Sequence, residues 1–408
     1  MKKEKSGIKW WFVVLNLVPF IMVLGNSMLI PLLPTMKAAM NLTLMQVGLI
    51  ITAFSIPAGV VIPLAGYASD HLGRKAIMAP ALIIYGLGGL ISGASALLLS
   101  SPYNFLLLGR VVQGVGAGGT YQLAMALTGD IFQSKERTNA LGILEASNGL
   151  GKVVSPIAGS ALGLIIWFAP FFAYGLLAIP IAFAVWFMVK EPEQEGSKSN
   201  TQYWKQLKNI FKEKGLPLAA SFLAGMIVLF MLFGILSWFS DFLETQYGIK
   251  GFSVGLLIAI PVGTMAITSY LSGSYFQKQK ADFLKWGVIV GLVAVILSTI
   301  IISFVNNLYI LLFSLILLGF GTGVVLPAVN TLTTSAAASE ERGLVTCLYG
   351  SVRFFGVAIG PPAFGMITSV GKMPLFMSAA ALGIAIAIFA FFFIRTEKML
   401  PPQLLQEG

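Results

Sequence analysis

A chain of 408 residues that is 57% hydrophobic, 10% charged and +10 in net charge cannot be a soluble domain, whose surface needs about a quarter charged residues. It has one cysteine, Cys347, and one histidine, His71, which excludes disulfides, zinc clusters and Cys/His or Ser/His catalytic pairs. We therefore expect no enzymatic activity, no cofactor and no bound metal. Lipid is the expected solvent for most of the surface.

Apolar runs of about twenty residues recur along the chain, and each is long enough to cross the hydrocarbon layer as a helix. The first run lacks a small-residue cleavage site, so we interpret it as a retained span rather than a signal peptide. Twelve spans are predicted, at 10–34, 45–68, 76–98, 104–128, 139–165, 168–189, 215–240, 252–274, 284–304, 307–330, 344–370 and 374–394.

The basic residues predict the orientation of these spans. Of the 26 Lys and Arg, 20 fall in loops on the side of the N-terminus. Because basic loops stay in the cytoplasm, both termini are predicted to be cytoplasmic, and the net charge gives no reason to expect nucleic acid as a partner. The remaining six are Lys37, Lys250 and Lys372 on the other side and Arg110, Lys152 and Arg353 inside spans.

One long polar interruption, 190–214, divides the chain into an N-terminal six-helix bundle at 1–189 and a second bundle at 215–394, followed by a tail at 395–408. Trp204, Leu207, Ile210 and Phe211 stand at helical spacing beside lysines in its second part. This pattern favours an interfacial helix in the headgroup region, and a plain tether is the alternative.

An internal repeat supports the division into halves. Gly114, Gly116 and Gly118 recur 205 positions later as glycines, and Gly151 and Pro156 recur at the same offset as Gly356 and Pro361. A constant shift of half the chain predicts two similar bundles around a central site, which is a transporter architecture.

The loop between spans two and three contains Gly66, Asp70, Gly73, Arg74 and Lys75 in the pattern G-x-x-x-D-x-x-G-R-K. This pattern resembles the signature of the major facilitator superfamily. The resemblance implies an all-α polytopic membrane protein with twelve transmembrane helices in two pseudo-symmetric six-helix bundles, and an alternating-access mechanism. It also implies that these residues form a cytoplasmic latch that controls gating.

Within this latch, Asp70 is expected to cap a neighbouring helix, and Asp130 at the end of span four is a predicted partner of Arg74. A static topological anchor is the alternative interpretation. The matching stretch of the second half keeps Lys278 and Lys280 but lacks the acid, so only one complete latch is expected.

Span four contains Arg110 and Gln113 in a stretch similar to the R-x-x-Q-G pattern of the family's antiporters. A cation inside a span needs a partner or a wet cavity, so both residues are predicted to lie at the substrate cavity. An arginine that only bonds carbonyl groups across a helix interface is the alternative.

Span five resembles the antiporter signature G-x-x-x-G-P-x-x-G-G, which implies export. A helix bend at which the halves rock is predicted there, with helix packing alone as the alternative. Ser155 and Ser160 stand where the signature has glycine. The predicted bend residues are Gly151, Ser155, Pro156 and Gly159 in span five and Gly360 and Pro361 in span eleven.

Glu145, Asn148 and Lys152 share one face of span five, and Arg353 reaches a similar depth in span eleven. Isolated charges in lipid are costly, so these residues are predicted to line a net-positive cavity that accepts anionic or electron-rich substrates. Glu145 is the preferred proton carrier, ahead of Lys152 and Arg110. In the alternative, Glu145 neutralises a cation and the others bond carbonyl groups.

The predicted function is export of small molecules across the bacterial inner membrane by proton antiport, as in multidrug efflux. The alternatives are an exporter of an anionic metabolite or siderophore, a lipid flippase and a proton-coupled nutrient importer. The expected partners are a small-molecule substrate, protons and membrane lipids, and the chain is expected to act as a monomer.

Overall fold

The computed structural model describes residues 10–132, 134–192, 200–276, 281–337 and 342–400 of the chain. All regular elements within these ranges are helical. Short 3₁₀ turns at Ile30–Leu32 and Thr368–Val370 accompany the longer helices. The α-helices are α1 (Trp10–Ser27), α2 (Leu33–Met40), α3 (Leu44–Leu72), α4 (Arg74–Leu98), α5 (Tyr103–Gly118), α6 (Tyr121–Ile131), α7 (Ser134–Gly163), α8 (Ala169–Met188), α9 (Asn200–Tyr247), α10 (Phe252–Phe276), α11 (Ala281–Phe304), α12 (Leu308–Ala336), α13 (Arg342–Ile367), α14 (Lys372–Phe393) and α15 (Thr396–Met399).

Ten stretches of the described chain are long and apolar enough to cross a membrane, and they match ten of the twelve predicted spans. The other two predicted spans are the fourth, which is divided between α5 and α6, and the fifth, which is α7. Helix α7 is 30 residues long but rich in glycine, serine and charged residues. Both regions nevertheless expose large apolar side chains, such as Phe105 and Leu108 of α5 and Leu150 of α7.

Helix α9 differs from the sequence prediction. A single helix of 48 residues begins at Asn200 and runs through Pro217 to Tyr247, so the second part of the predicted linker 190–214 is continuous with span seven. Ile210 is buried and the Lys214 ammonium donates to the carbonyl of Ala336 at 2.6 Å, which ties this extension to α12. Residues 193–199 and the side chains of Trp204 and Leu207 lie outside the described part of the chain.

The repeat of 205 residues is visible in the helix packing. A Cβ atom on Gly114 would lie 2.2 Å from the carbonyl oxygen of Phe54, and one on Gly319 would lie 2.2 Å from that of Pro261. These two contacts join α5 to α3 and α12 to α10, which are equivalent helices of the two halves. In lipid, where apolar surface gains little by contact with apolar surface, such close backbone approach is what holds helices together.

A second pair of repeated glycines makes equivalent contacts between other helices. A Cβ atom on Gly151 of α7 would lie 3.1 Å from the carbonyl oxygen of Phe20 in α1. One on Gly356 of α13 would lie 2.3 Å from that of Met226 in α9. The first half, α1 to α8, and the second half, α9 to α14, are therefore built by the same helix contacts.

The two ends of the molecule differ in how the halves meet. We call the end where α4 and α9 begin the linker face, and the end where α2 lies the opposite face. At the opposite face α10 packs closely on α7, since a Cβ atom on Gly255 would lie 2.5 Å from the carbonyl oxygen of Pro156. Helices α3 and α13 also touch there, with Gly48 against the backbone of Pro362.

An ion pair joins the halves at the same face. The Lys37 ammonium lies 2.6 Å from a carboxylate oxygen of Asp241, and their side chains are 32% and 15% exposed. Lys37 belongs to α2 and Asp241 to α9. Because partial burial reduces the screening of this pair by solvent, it contributes to holding the opposite face closed.

At the linker face the contact between the halves is incomplete. Helices α3 and α13 still touch, since a Cβ atom on Gly66 would lie 2.9 Å from the Cys347 sulfur. Helices α7 and α10 separate, because a Cβ atom on Gly149 would be 4.0 Å from that of Ala266 and one on Gly142 would meet no described atom within 4 Å. A gap between α7 and α10 therefore opens toward the linker face.

Substitution of the repeated glycines tests the packing of the halves. Gly114→Ala and Gly319→Ala each place a methyl group against a backbone carbonyl, so we expect each to cost about 1–3 kcal/mol of stability by overpacking. Gly142→Ala in the gap is the control, and it should leave the thermal unfolding temperature unchanged or raise it, because alanine favours helix. Equal unfolding temperatures of purified Gly114→Ala and Gly142→Ala would contradict the described packing.

Charge reversal tests the closure of the opposite face. Lys37→Asp or Asp241→Lys places like charges together, whereas the double variant restores an attractive pair. We expect each single variant to raise several-fold the rate at which an impermeant thiol reagent labels Ser27→Cys from the opposite face, and the double variant to return it toward the parent rate. The parent protein carries Cys347→Ser, which removes the one native thiol.

The matched control is the neighbouring ion pair Lys250–Glu244, which has a separation of 3.2 Å and lies within the second half. Glu244→Lys introduces the same charge change at the same face without separating the halves, so its labelling rate should equal that of the parent. Equal labelling of Asp241→Lys and Glu244→Lys would show that the ion pair between the halves does not hold this face.

Candidate functional site

A cavity lies between the two halves at the centre of the molecule. Helices α1, α3, α6 and α7 of the first half and α9, α10 and α13 of the second contribute its lining, most of which is apolar. Its position matches the substrate sites of transporters built from two repeats, which lie near the middle of the membrane. The polar lining residues are Asn26, Ser27, Tyr121, Gln122, Asn148, Lys152 and Arg353.

The cavity is lined by two cations. Lys152 of α7 and Arg353 of α13 reach it from different halves, and no carboxylate is found among its described lining residues. Arg353 also lies over the ring of Tyr349, 5.4 Å from its centre. Asn148 lines the cavity and its amide donates to the carbonyl of Pro19 at 3.4 Å. The cavity therefore has the net-positive lining that the sequence predicts.

Glu145 lies on the same helix but outside the cavity lining. Its position is about 10 Å nearer to the linker face than Lys152, and it is exposed beside the gap between α7 and α10. The Tyr121 hydroxyl donates a hydrogen bond to the Glu145 carboxylate. Since Tyr121 itself lines the cavity, this bond connects Glu145 to the candidate site.

The position of Tyr121 results from a break in span four. Helix α5 ends at Gly118, and the amide of Thr120 donates to the carbonyl of Ala117 at 3.2 Å, in a tight turn before α6 begins at Tyr121. The sequence analysis treated this span as one helix at 104–128 and did not select Tyr121. The adjacent glycines Gly118 and Gly119 were the available signal for the break.

Arg110 is completely buried and has a full set of polar partners. Its guanidinium donates to the carbonyls of Ile50 at 3.1 Å and Gly25 at 2.7 Å. It also donates to the side-chain oxygen of Gln113 at 2.6 Å and to that of Asn26. This arrangement is the carbonyl-bonding alternative of the sequence analysis.

Arg110 and Gln113 consequently lie behind the lining of the cavity rather than in it, unlike the sequence prediction. The residues that face the cavity at this point are Asn26 and Phe54, and the guanidinium lies 4.5 Å from the centre of the Phe54 ring. The guanidinium makes four hydrogen bonds, to two backbone carbonyls and two side-chain amides of α1, α3 and α5, and these partners compensate its charge away from the cavity. Arg110 can position Asn26 but does not touch a ligand in this cavity.

The predicted latch residues meet at the linker face. The Arg74 guanidinium lies 2.5 Å from the carboxylate of Asp70 and 3.4 Å from that of Asp130, and it donates to the Ser69 hydroxyl at 2.7 Å. The predicted partner Asp130 is therefore in place. All of these contacts lie within the first half.

The residue that caps α4 is Glu191, which the sequence analysis assigned to the linker. Its carboxylate accepts the backbone amides of Arg74 at 2.5 Å and Lys75 at 3.0 Å, an arrangement that the dipole of α4 favours. Gly73 has a φ of +100°, which only glycine adopts without strain. The Lys75 ammonium donates to the carbonyl of Val189 at 3.1 Å, so α4 and the end of α8 are tied together twice.

The predicted bend residues of α7 lie at helix contacts. Ser155 is buried and its hydroxyl donates to the carbonyl of Gly151 within the same helix. A Cβ atom on Gly159 would lie 2.1 Å from the carbonyl oxygen of Met28, which directly follows α1. Pro156 lines the cavity and contacts α10, so this part of α7 faces both the site and the other half.

The equivalent residues of α13 also lie at contacts between helices. A Cβ atom on Gly360 would lie 2.5 Å from the carbonyl oxygen of Phe230 in α9. The backbone of Pro361 lies against Gly48 of α3. Residues Lys278 and Lys280, which were expected to remain from a second latch, lie outside the described residues.

Comparison with protein families and with known proteins identifies the family that has this architecture. The family model described as Major Facilitator Superfamily matches residues 15–361 and, in a second match, 281–408. The chain is 38% identical over 389 residues to the bacillibactin exporter of Bacillus subtilis, which covers 95% of this chain and 96% of that protein. It is 26% identical over 393 residues to multidrug resistance protein 1 of the same organism, covering 94% and 96%.

Solved structures share the fold at lower sequence identity. A bacterial homologue of the human lysosomal transporter Spinster, in an inward-facing and occupied conformation, superposes with a TM-score of 0.80 at 19% identity, over 98% of this chain and all of that one. The human organic anion transporter MFSD10 gives a TM-score of 0.71, also at 19% identity, over 94% of this chain and all of that one. With a family model that matches most of its length and a fold that agrees, the chain belongs to the major facilitator superfamily of membrane transporters, which are not enzymes.

Proposed function

We propose that this transporter exports small molecules that carry an anionic or electron-rich group. The observation that supports this most directly is the cavity between the halves, which has Lys152 and Arg353 in its lining and no described carboxylate. Two cations in a mostly apolar site favour an anion, because a desolvated charge needs a charged or hydrogen-bonding partner. A cationic compound would lose its hydration there without a compensating carboxylate.

The similarity to the bacillibactin exporter of Bacillus subtilis supports the same substrate class. We propose that the substrate is bacillibactin or another anionic metabolite or siderophore. Multidrug efflux is the second candidate, and its support is the similarity to multidrug resistance protein 1. The two differ in the expected response to charge, since an anion-selective cavity rejects cationic drugs.

We propose that the linker face is cytoplasmic and that both chain termini lie on that side of the bacterial inner membrane. The distribution of Lys and Arg among the loops supports this orientation. The opposite face is closed by Lys37–Asp241 and the close contact of α7 with α10, while the gap between these helices opens at the linker face. A substrate would then enter the cavity from the cytoplasm. We propose that the transporter acts as a monomer.

Alternating access requires the halves to rock about the cavity. We propose that the bend in α7 at Pro156 and its counterpart at Pro361 are the contacts that change, because each belongs to a helix that meets the other half. The latch of Asp70, Arg74 and Asp130 would favour one of the two end states. Glu191 would act with it by keeping α4 in place.

Proton antiport would supply the energy for export, with Glu145 as the proton carrier. Glu145 is exposed beside the gap at the linker face and is bonded to Tyr121 of the cavity lining. A carrier must reach both the solvent and the site, and Glu145 has both connections. Arg110 is a weaker candidate, because its guanidinium is enclosed by carbonyl groups.

Neutralising the cavity cations tests the substrate class. We expect Lys152→Gln and Arg353→Gln each to weaken binding of bacillibactin by about 10- to 100-fold, the range of one charge-assisted hydrogen bond, measured by titration of the purified transporter. Lys285→Gln is the matched control, since Lys285 lies over the Phe391 ring of α14, away from the cavity. Unchanged affinity in both cavity variants, or tighter binding of a cationic drug by the parent, would contradict the proposal.

Neutralising Glu145 tests the coupling. In everted vesicles with an imposed proton gradient, added substrate should restore the fluorescence of a quenched pH dye for the parent protein and not for Glu145→Gln. Glu244→Gln at the opposite face is the matched control and should behave as the parent does. Undiminished dye recovery by Glu145→Gln would remove Glu145 as the carrier while leaving the substrate assignment intact.

A further inference from the structure

Tyr121 connects the central cavity with Glu145, the proposed proton carrier. Its side chain lines the central cavity, and its hydroxyl donates to Glu145, which is not part of the cavity lining and is exposed beside the gap between α7 and α10. A path from the linker face to the cavity along this gap therefore passes Glu145 first and Tyr121 second.

The second half has no tyrosine at the position equivalent to Tyr121. The offset of 205 relates Tyr121 to Leu326, a buried apolar residue in the interior of α12. Helix α12 runs without interruption from Leu308 to Ala336, whereas the equivalent span of the first half breaks before Tyr121. Because the repeat has been kept in the neighbouring glycines, this difference is a local departure from symmetry at the cavity.

Two other contacts join the halves on the linker-face side of the cavity. Gln122 packs on Gly350, since a Cβ atom on that glycine would lie 2.7 Å from the Gln122 amide nitrogen. This contact joins α6 to α13 beside Tyr121, and Gly66 touches Cys347 nearer to the linker face. The gap between α7 and α10 stays open in the described interface, and Tyr121, which lines the cavity, is bonded to Glu145 beside this gap.

We propose that Tyr121 is the cytoplasmic gate of the cavity and that the charge of Glu145 controls it. The inference rests on the proposed function, in which Glu145 carries the coupled proton. A hydrogen bond to an ionised carboxylate is roughly twice as strong as one to a neutral group. Ionised Glu145 therefore holds the Tyr121 ring across the entrance, and protonated Glu145 releases it.

This dependence gives the order of events that an exporter needs. A proton delivered from outside arrives at the linker face on Glu145, which frees Tyr121 and opens the cavity to the cytoplasm. Substrate then enters and the proton leaves. The ionised carboxylate takes up the Tyr121 hydrogen bond again and closes the entrance behind the substrate, before the halves rock.

The charged groups around Glu145 are few. Lys152 on its own helix interacts with it electrostatically, as do the phenols of Tyr121 and Tyr349, and Arg353 on α13 interacts with these same three groups. Helices α1, α8 and α10 pack against α7 and contain no acidic or basic residue, whereas α6, which also packs against it, contains Asp130, paired with Arg74. Glu145→Gln, which removes the charge, therefore tests the control of the gate directly.

A thiol reporter inside the cavity tests the gate. In a Cys347→Ser parent, Met265→Cys reports on the cavity and Asn139→Cys, an exposed position at the start of α7, reports on the linker face. The measured quantity is the rate of labelling by an impermeant reagent from the linker face at Met265→Cys, divided by the rate at Asn139→Cys. This ratio removes the effect of pH on the thiol reaction itself.

We expect the ratio for the parent to rise about tenfold as the pH falls and Glu145 becomes protonated. Tyr121→Phe keeps the ring but lacks the hydroxyl, so its ratio should be high at every pH, and Tyr121→Ala should give the same or a higher ratio. Glu145→Gln, which lacks the charge, should also give a high ratio without pH dependence. A ratio for Tyr121→Phe and Tyr121→Ala equal to that of the parent at every pH would overturn the gate.

Dye recovery and thiol labelling together separate failure of the gate from failure of the proposed function. Loss of dye recovery in Glu145→Gln with parent-like labelling in both Tyr121 variants would reject the gate and keep the proton carrier. Intact dye recovery in Glu145→Gln would reject the carrier, and a labelling ratio for Glu145→Gln that still rises as the pH falls would reject its control of Tyr121.

Discussion

An ionised side chain within the hydrocarbon layer must have either a complete set of polar partners or contact with water, because an isolated charge there costs several kcal/mol. The chain uses both solutions in neighbouring helices. Arg110 is enclosed by carbonyl and amide oxygens from α1, α3 and its own helix. Lys152 and Arg353 instead face the space between the halves. The first charge binds the first half together, and the other two define the site.

The same constraint explains how the halves can be alike in packing and different in function. The repeated glycines make equal contacts in both halves, so the framework is symmetric. The charged residues near the cavity do not follow the repeat, since Arg110 is matched by Leu315 and Glu145 by Gly350 at the offset of 205. In the proposed mechanism, symmetric helix contacts let the halves rock as similar bodies. The asymmetric set of charges gives the described cavity lining one sign and leaves the Glu145 carboxylate outside it.

Much of the fold could be predicted because its signals are local. Length and hydropathy give the spans, and the shared offset gives the repeat, which the equivalent contacts of Gly114 and Gly319 confirm. The continuity of α9 could not be predicted, because a polar segment followed by an apolar one has the same composition whether the helix breaks or continues. The break before Tyr121 was missed because its glycines stand in a run that also has a packing role.

The site was harder to predict because membership of a cavity depends on three-dimensional neighbours. Lys152, Asn148 and Arg353 were placed in the cavity from helical spacing and the repeat, and they line it. Arg110 and Gln113 satisfied the same sequence criterion, yet three helices meet around them and leave no open space. Glu191 follows a span directly, where a helix end and the start of a linker look alike in sequence. Its contact with α4 crosses more than a hundred residues.

The contacts at the two faces would restrict movement of the halves in different ways. At the opposite face an ion pair and close backbone contacts act directly between the halves. The described latch contacts at the linker face lie within the first half, so they cannot by themselves hold the halves together. Their influence passes through α3, which contains Asp70 and touches α13 at Gly66 and Cys347, and through α6, which contains Asp130 and touches α13 at Gly350. A latch of this kind sets the rigidity and angle of α3 against α13, and a change at the Tyr121 entrance can proceed while that contact stays intact.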